Sequence, residues 1–310
     1  MRRLTLIAVA LSLAAGSAAA GAYRAPRAAD GHPDLQGDWT NASLTHLQRP
    51  TALKSLTLTD AEATAWEKGG GVQDRPDEVG QATSEWIDPH DRLARIDGKA
   101  RSGWIVDPAD GRLPYTPAGR QRLVDAQASA LKDFDGPEAR PASERCLIGP
   151  SGMAGPPMLN SVYEANYQIV QTAQTVVIVA ELNHEARIIR IGDARHPPVD
   201  LRLWAGDSIG RWEGDTLVIE TQGFHPLASW RGPAQLYLSP QAKVTERLTR
   251  TSAAEIRYLF TVEDPQVYSR PWTGEMVFRP GGRQIEFACH EGNYALPGIL
   301  AGARRQEAAK

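Results

Sequence analysis

The sequence predicts a mainly β protein: an antiparallel up-and-down barrel or strongly curled sheet, preceded by an irregular, partly helical N-terminal arm. Three observations carry this reading. After Arg145 the chain becomes a series of short, alternating, β-branched segments separated by tight turns. No helical pattern long enough for a parallel crossover lies between those segments. Before Pro141 the chain is rich in Pro, Gly and Asp, with little sustained alternation.

Taken in order, residues 1–20 read as a signal peptide. Arg2 and Arg3 give the positive start, Leu4 to Ala15 the apolar run, and Ala18 and Ala20 an A-x-A cleavage pattern. The run is short of the roughly 20 residues that span a bilayer, so no stable membrane span is expected. Residues 21–141 form the wrapping segment. Within it, Thr59 and Glu62 make a capping box for a short helix that stops at Gly69 to Gly71. Thr116 and Pro117 begin a second helix to Lys132, with Leu123, Val124, Ala128 and Leu131 as its apolar side. Residues 142–310 form the β domain. Its expected strands are 168–172, 175–180, 187–191, 201–204, 208–212, 215–221, 243–250, 255–262, 273–279 and 283–289, mostly joined as hairpins. A sheet of about ten strands tends to curl or close, which favours a lipocalin-like barrel.

The chain has 310 residues, with 34 basic against 37 acidic and a net charge of -3. Such a balance gives no basic excess for nucleic acid. Removing the signal takes Arg2 and Arg3 with it and leaves 32 basic against 37 acidic residues, net -5. The expected location is periplasmic or secreted, after Sec-type cleavage near Ala20. In that oxidising setting the only two cysteines, Cys146 and Cys289, read as one disulfide. Closing a loop of about 140 residues contributes roughly 5 kcal/mol at most in the chain-entropy model. The alternatives for the two cysteines are a catalytic thiol or metal ligands. The sequence does not indicate an oligomeric state.

Several segments carry a family resemblance: GHPDLQGDW from Gly31, GRLPYTPAG from Gly111, GDSIGRWEGDTLVIETQGF from Gly206, VTERL from Val244, TVEDPQVYSRPW from Thr261 and ACHEGNYALPGILAGAR from Ala288. In these the chain resembles a widespread family of exported, mostly uncharacterised bacterial proteins, abundant in acidobacteria and proteobacteria. The resemblance covers nearly all of the chain after the signal and implies export and a β-rich fold. It brings no catalytic or ligand residue with it. Members often carry an aromatic pair where Leu182 and Asn183 stand here, so a ligand face on that hairpin would differ.

Candidate site residues come from strand parity and clustering. Alternation puts Glu246 on the same face as Val244 and Leu248, and Ile256, Tyr258, Phe260 and Val262 on one apolar face of the next strand. An acid in a barrel lumen has its pKa raised by desolvation and can serve as general acid or base, unless an arginine holds it ionised. A salt bridge is the structural reading. Glu181, His184 and Arg187 cluster around one expected turn, where a carboxylate can orient an imidazole for proton transfer; solvated surface charge is the plainer reading. Tyr258, Tyr268, Trp272 and His290 are the candidate ligand-binding residues. Asp207, Trp212, Glu213 and Asp215 read as hairpin architecture, with Asp215 on turn amides and Trp212 over a barrel end.

The sequence has no nucleophile elbow, zinc helix, P-loop or dinucleotide fingerprint. Its seven histidines, His32, His46, His90, His184, His196, His225 and His290, show no metal-ligand spacing. No cofactor or metal is expected. The leading reading is an exported small-molecule binding protein with an apolar or aromatic ligand in a β-barrel cavity. The competing one is a cofactor-independent lyase, isomerase or hydrolase using Glu246 and His184 for proton transfer, so whether the chain is an enzyme stays open. A third is an envelope protein whose arm wraps a partner.

Overall fold

An odd number of strands cannot close into a ring with every neighbour antiparallel, and that parity governs this fold. The computed structural model describes residues 23–68, 92–149, 155–161, 164–192, 195–198, 200–232 and 234–309. The expected signal segment and cleavage site, the expected helix stop at Gly69 to Gly71 and His90 lie outside them. The first part of the chain supplies β1 (Gly37–Thr40), β2 (Thr57–Leu58), α1 (Asp60–Lys68), β3 (Arg95–Ile96), β4 (Lys99–Arg101), β5 (Ile105–Asp107) and α2 (Pro117–Lys132). There follow β6 (Asn166–Gln171), β7 (Thr175–Ala180), β8 (Ala186–Ile191), β9 (Asp207–Glu213), β10 (Thr216–Gln222), β11 (Trp230–Arg231), β12 (Leu236–Tyr237), β13 (Lys243–Ser252), β14 (Glu255–Glu263), β15 (Trp272–Pro280), α3 (Cys289–Gly292) and α4 (Ala295–Ala308).

Nine strands close into a mixed barrel in the order β1-β6-β7-β8-β9-β10-β13-β14-β15, with β15 returning to β1. The other neighbours are antiparallel, and β8 and β9 run parallel, Ile189 opposite Ser208 and Ile191 opposite Gly210. A parallel pair needs a crossover rather than a hairpin. The chain between β8 and β9 must therefore double back, which is why the expected strand 201–204 does not form. Only Leu203 bridges, to Phe224.

The other missing strand is 283–289. Its place beside β15 is taken by β1, with Trp39 opposite Pro280 and Thr40 opposite Arg279, and by β5 at the other end. With that edge occupied, 283–289 crosses the end of β6 and β7, where Gln284 Nε2 donates to Val179 O at 2.8 Å and the Ile285 amide to Glu181 at 2.9 Å. The arm thus contributes two strands to the sheet. It also straps the β9–β10 hairpin: His32 stacks on Trp212 with ring centroids 4.7 Å apart, and Arg27 pairs with Asp215. Asp215 is accordingly held by the arm, not by turn amides, and Trp212 lies under His32. Gly214, at φ +60°, supplies the left-handed residue that this tight hairpin needs.

Period-two burial fills the lumen. Val244, Glu246 and Leu248 of β13 and Ile256, Tyr258, Phe260 and Val262 of β14 are all buried, the faces that alternation predicts. The small sheet β2-β4-β3 packs with α1 around Leu58, Ala63, Leu93 and Ala100 as a satellite core. The capping box of α1 forms as expected, Glu62 accepting from the Thr59 amide at 2.8 Å.

Helix α2 packs against the β11–β12 ribbon. Thr116 caps the helix, accepting from the Gly119 amide at 2.9 Å, and the Thr116 amide donates to Val267 O. A Cβ on Gly119 would come within 2.0 Å of Val267 O, so only glycine permits this approach. Its buried side is Gly119, Leu123 and Ala130, while Val124 and Leu131 are half exposed, which corrects the expected apolar stripe. The Cys146–Cys289 disulfide joins the chain before β6 to α3, with Cα atoms 5.7 Å apart. Among the described residues no helix is long and apolar enough to cross a membrane.

Candidate functional site

Within the lumen, β8 and β13 bring Arg187 and Glu246 together, both essentially without solvent exposure. Arg187 Nη2 donates to Glu246 Oε2 at 2.5 Å and Nη1 to Oε1 at 3.1 Å. The Tyr258 hydroxyl donates to Oε1 at 2.6 Å and accepts from the Met158 amide at 2.9 Å. Ser208 and Thr221 hydroxyls receive the remaining Nη2 contacts. Burial alone would depress the Arg187 guanidinium, but the Glu246 carboxylate outweighs it and the net shift is upward. Burial, reinforced by Glu246, holds the Tyr258 phenol well above its ordinary range. A carboxylate with both oxygens engaged in this way is the arginine-held case anticipated from the sequence.

The partners proposed for proton transfer are not brought to it. His184 is exposed at the β7–β8 turn and its Nδ1 meets Phe287 O at 3.1 Å. Glu181 is buried and ties down Asn166 and the Ile285 amide. The turn trio therefore points three ways, because Arg187 faces inward on β8 while its two neighbours belong to the rim. His290 is exposed on α3, apart from Tyr258, Tyr268 and Trp272.

Those three do meet, in a continuous run of buried rings from one barrel end into the lumen. Tyr115 contacts Tyr268 at 4.9 Å, Tyr268 contacts Trp272 at 5.8 Å, and Trp272 contacts Phe260 at 5.7 Å. Phe260 contacts Tyr258 at 5.3 Å, Tyr258 contacts Phe278 at 5.5 Å, and Phe278 contacts Tyr167 at 5.1 Å. Most of these contacts are edge-to-face or tilted, each worth about 0.5–1.5 kcal/mol beyond area burial. Phe260 lies over Gly274 on the next strand, where a Cβ would sit 2.3 Å from its ring. The rings pack on one another and fill this part of the lumen.

The space for a ligand is beside the β11–β12 ribbon. The ribbon is fixed by the Tyr268 hydroxyl on Tyr237 O at 2.8 Å and by Tyr115, whose hydroxyl donates to Gln235 O and accepts from the Tyr237 amide. Strand parity splits β11, putting Trp230 toward α2 and Arg231 into the barrel. Between α2, residues 138–144 and this ribbon lies a cavity of about 430 Å³, within the usual range for small-molecule sites. Ala130, Leu131, Ile148, Leu227 and Trp230 give it apolar walls. Leu131 and Leu227 are about half exposed there, at 50% and 51%. Ser229 and Trp230 also line it, and their Oγ and Nε1 are shielded from solvent and without a hydrogen-bond partner. Buried polar groups normally find partners, so two orphans in one cavity wall need an explanation.

Arg231 adds a third anomaly. It is buried, leaves Nε and Nη2 unpartnered, and makes one long contact, Nη1 to Pro157 O at 3.5 Å. Burial pulls its guanidinium down to about 10, against the attraction of Glu185. Burial likewise pushes the Glu185 carboxyl up to about 7, against the Gly149 amide and Arg231. Gly149, whose amide donates to Glu185 at 3.1 Å, lines the cavity.

Sequence reasoning passed over Ser229, Trp230, Arg231, Glu185 and His196. The strand that aims Trp230 and Arg231 is two residues long, too short for a periodic signal, and an isolated histidine shows no pattern until the crossover folds it back. A scan against protein-family models and a search of curated proteins found no match for this chain.

Proposed function

We propose that this chain is an exported small-molecule binding protein whose ligand, an apolar or aromatic compound with a hydrogen-bond acceptor, occupies the cavity between α2 and the β11–β12 ribbon. The observation that carries the reading is a cavity of ligand size with apolar walls from Leu131, Ile148, Leu227 and Trp230 and charged ones from Asp133, Glu138, Arg140 and Glu144, beside which the Ser229 Oγ and Trp230 Nε1 donors are shielded and unpartnered. A ligand acceptor that drew the Ser229 hydroxyl toward the cavity would satisfy it, while Leu131, Leu227 and Ile148 would cover the ligand's apolar body. The disulfide and the resemblance to exported β-rich proteins support the export part.

The test is binding of the neutral fluorophore N-phenyl-1-naphthylamine, read by fluorescence enhancement and by Trp quenching. The wild type is expected to bind, and Leu131→Trp, which fills the cavity from a half-exposed position, to weaken binding about tenfold or more, on the order of 1.4 kcal/mol. Binding that Leu131→Trp leaves unchanged would move the ligand out of this cavity, and an absence of binding would overturn the reading.

A further inference from the structure

The parallel junction of β8 and β9 builds a second cavity, on residues the binding reading does not use. Asp207, the first residue of β9, accepts from Arg190 of β8 through both carboxylate oxygens, at 2.8 and 3.0 Å. Its Oδ2 also lies 2.7 Å from Nδ1 of His196, which the crossover segment folds back onto it. The carboxylate and the imidazole are largely buried, their side chains 8% and 16% exposed. Both line a cavity of about 190 Å³ together with Arg202, Gln222 and Gln241.

The hydrogen-bond directions matter. A carboxylate already held by an arginine stays anionic and accepts, so His196 presents its Nδ1–H to Asp207, which leaves the Nε2 lone pair free. No described residue bonds Nε2. Arg202 spends one Nη1–H on Pro240 O at 2.7 Å and keeps its other donors, and the side-chain amides of Gln222 and Gln241 have no partner among the described residues. The lining contains an oriented base and several free donors but no hydroxyl, thiol or amine nucleophile. That combination suits proton abstraction rather than covalent catalysis. The volume corresponds to roughly six waters, enough for a very small molecule.

We propose that His196, oriented by Asp207, is a catalytic base that removes a proton from the carbon next to the carbonyl of a small 2-oxo acid, whose carboxylate is held by Arg202. In this step the C–H bond breaks, its electron pair passes to the carbonyl oxygen as an enolate, and the proton goes to His196 Nε2. Gln222 and Gln241 supply donors to the enolate oxygen. Return of a proton from the imidazolium to the same carbon regenerates the base, with no change of oxidation state and no co-reactant. The groups facing His196 are Asp207, Arg190 behind it and Arg202 across the cavity.

The experiment incubates the full exported chain with pyruvate in deuterated buffer and follows loss of the methyl proton signal by NMR. The wild type is expected to exchange well above the buffer rate. His196→Gln should fall to background with an unchanged thermal melt, and Asp207→Asn should slow exchange about a hundredfold. Arg202→Gln should raise the pyruvate concentration needed for half the maximal rate. Ile285→Ser, at an exposed position that lines neither cavity, should leave exchange untouched. Exchange no faster than buffer in the wild type, or exchange that survives His196→Gln, overturns the proposal and leaves Arg190, Asp207 and His196 as a structural tie for the crossover.

Discussion

Of the five buried arginines among the described residues, Arg187 and Arg231 are the most enclosed, and they are treated in opposite ways. Arg187 meets a carboxylate through two hydrogen bonds, with Tyr258, Ser208 and Thr221 around the pair. Arg231, on β11, has no bonded carboxylate and two nitrogens without partners. A buried charge that is paired and hydrogen-bonded is tolerated, whereas one left uncompensated costs several kcal/mol. The contrast separates architecture from opportunity. The Arg187–Glu246 network is nearly closed, with only Arg187 Nε unpartnered, and ties strands β8, β13 and β14 together, while the region of Arg231, Ser229 and Trp230 keeps more unsatisfied polar capacity next to a ligand-sized cavity.

The largest effect expected from this contrast is on the Arg187–Glu246 network. Arg187→Met strands Glu246 in the lumen and should cost about 3–5 kcal/mol in urea unfolding, whereas pairing it with Glu246→Leu should recover most of that loss. If the single and double variants are equally unstable, the ion pair is not what Arg187 contributes. At the open end the sign reverses: Arg231→Met removes a charge with poor compensation and should stabilise the ligand-free protein by about 1 kcal/mol or more. A loss of stability there would mean that Arg231 is satisfied in a way the contacts do not show.

The smallest effect concerns pH. The Glu185 carboxyl is raised from 4.5 to about 7 by burial, so the folded state holds a proton that the unfolded state releases over that interval. Stability should therefore fall as pH rises from about 4.5 to about 7 and level off above it. In Glu185→Gln this part of the slope should vanish from melting temperatures taken across the range. A slope identical in both proteins would show that Glu185 titrates as an ordinary exposed acid.

The barrel strands from β6 to β15 were mostly legible because each carries its own alternation, and the parity of Glu246 with Val244 and Leu248 followed from that alone. The arm's two helices were legible from their caps, Thr59 with Glu62 and Thr116 with Pro117, whereas α3 and α4 after the last strand were not expected. The errors fall where pairing, not pattern, decides. Residues 283–289 alternate well enough to be a strand, yet β1 and β5 already occupy the edge of β15. Of the candidate site residues, Glu246, Arg187 and Tyr258 converge, as do Tyr268 and Trp272, while His184, Glu181 and His290 are turn or terminal residues whose direction no periodicity specifies.

Local chemistry in the sequence was enough to determine which segments alternate, where helices begin, which two cysteines can pair and that an acid would face the core. These depend on neighbours a few positions away, or on there being only two cysteines. Tertiary structure decided what distant residues meet: that the short β1 closes the ring, that nine strands force a parallel junction, that this junction folds His196 onto Asp207, and that Arg231 is buried without a carboxylate. Such meetings depend on ring closure and edge competition, which are properties of the whole sheet and leave no local trace in the chain.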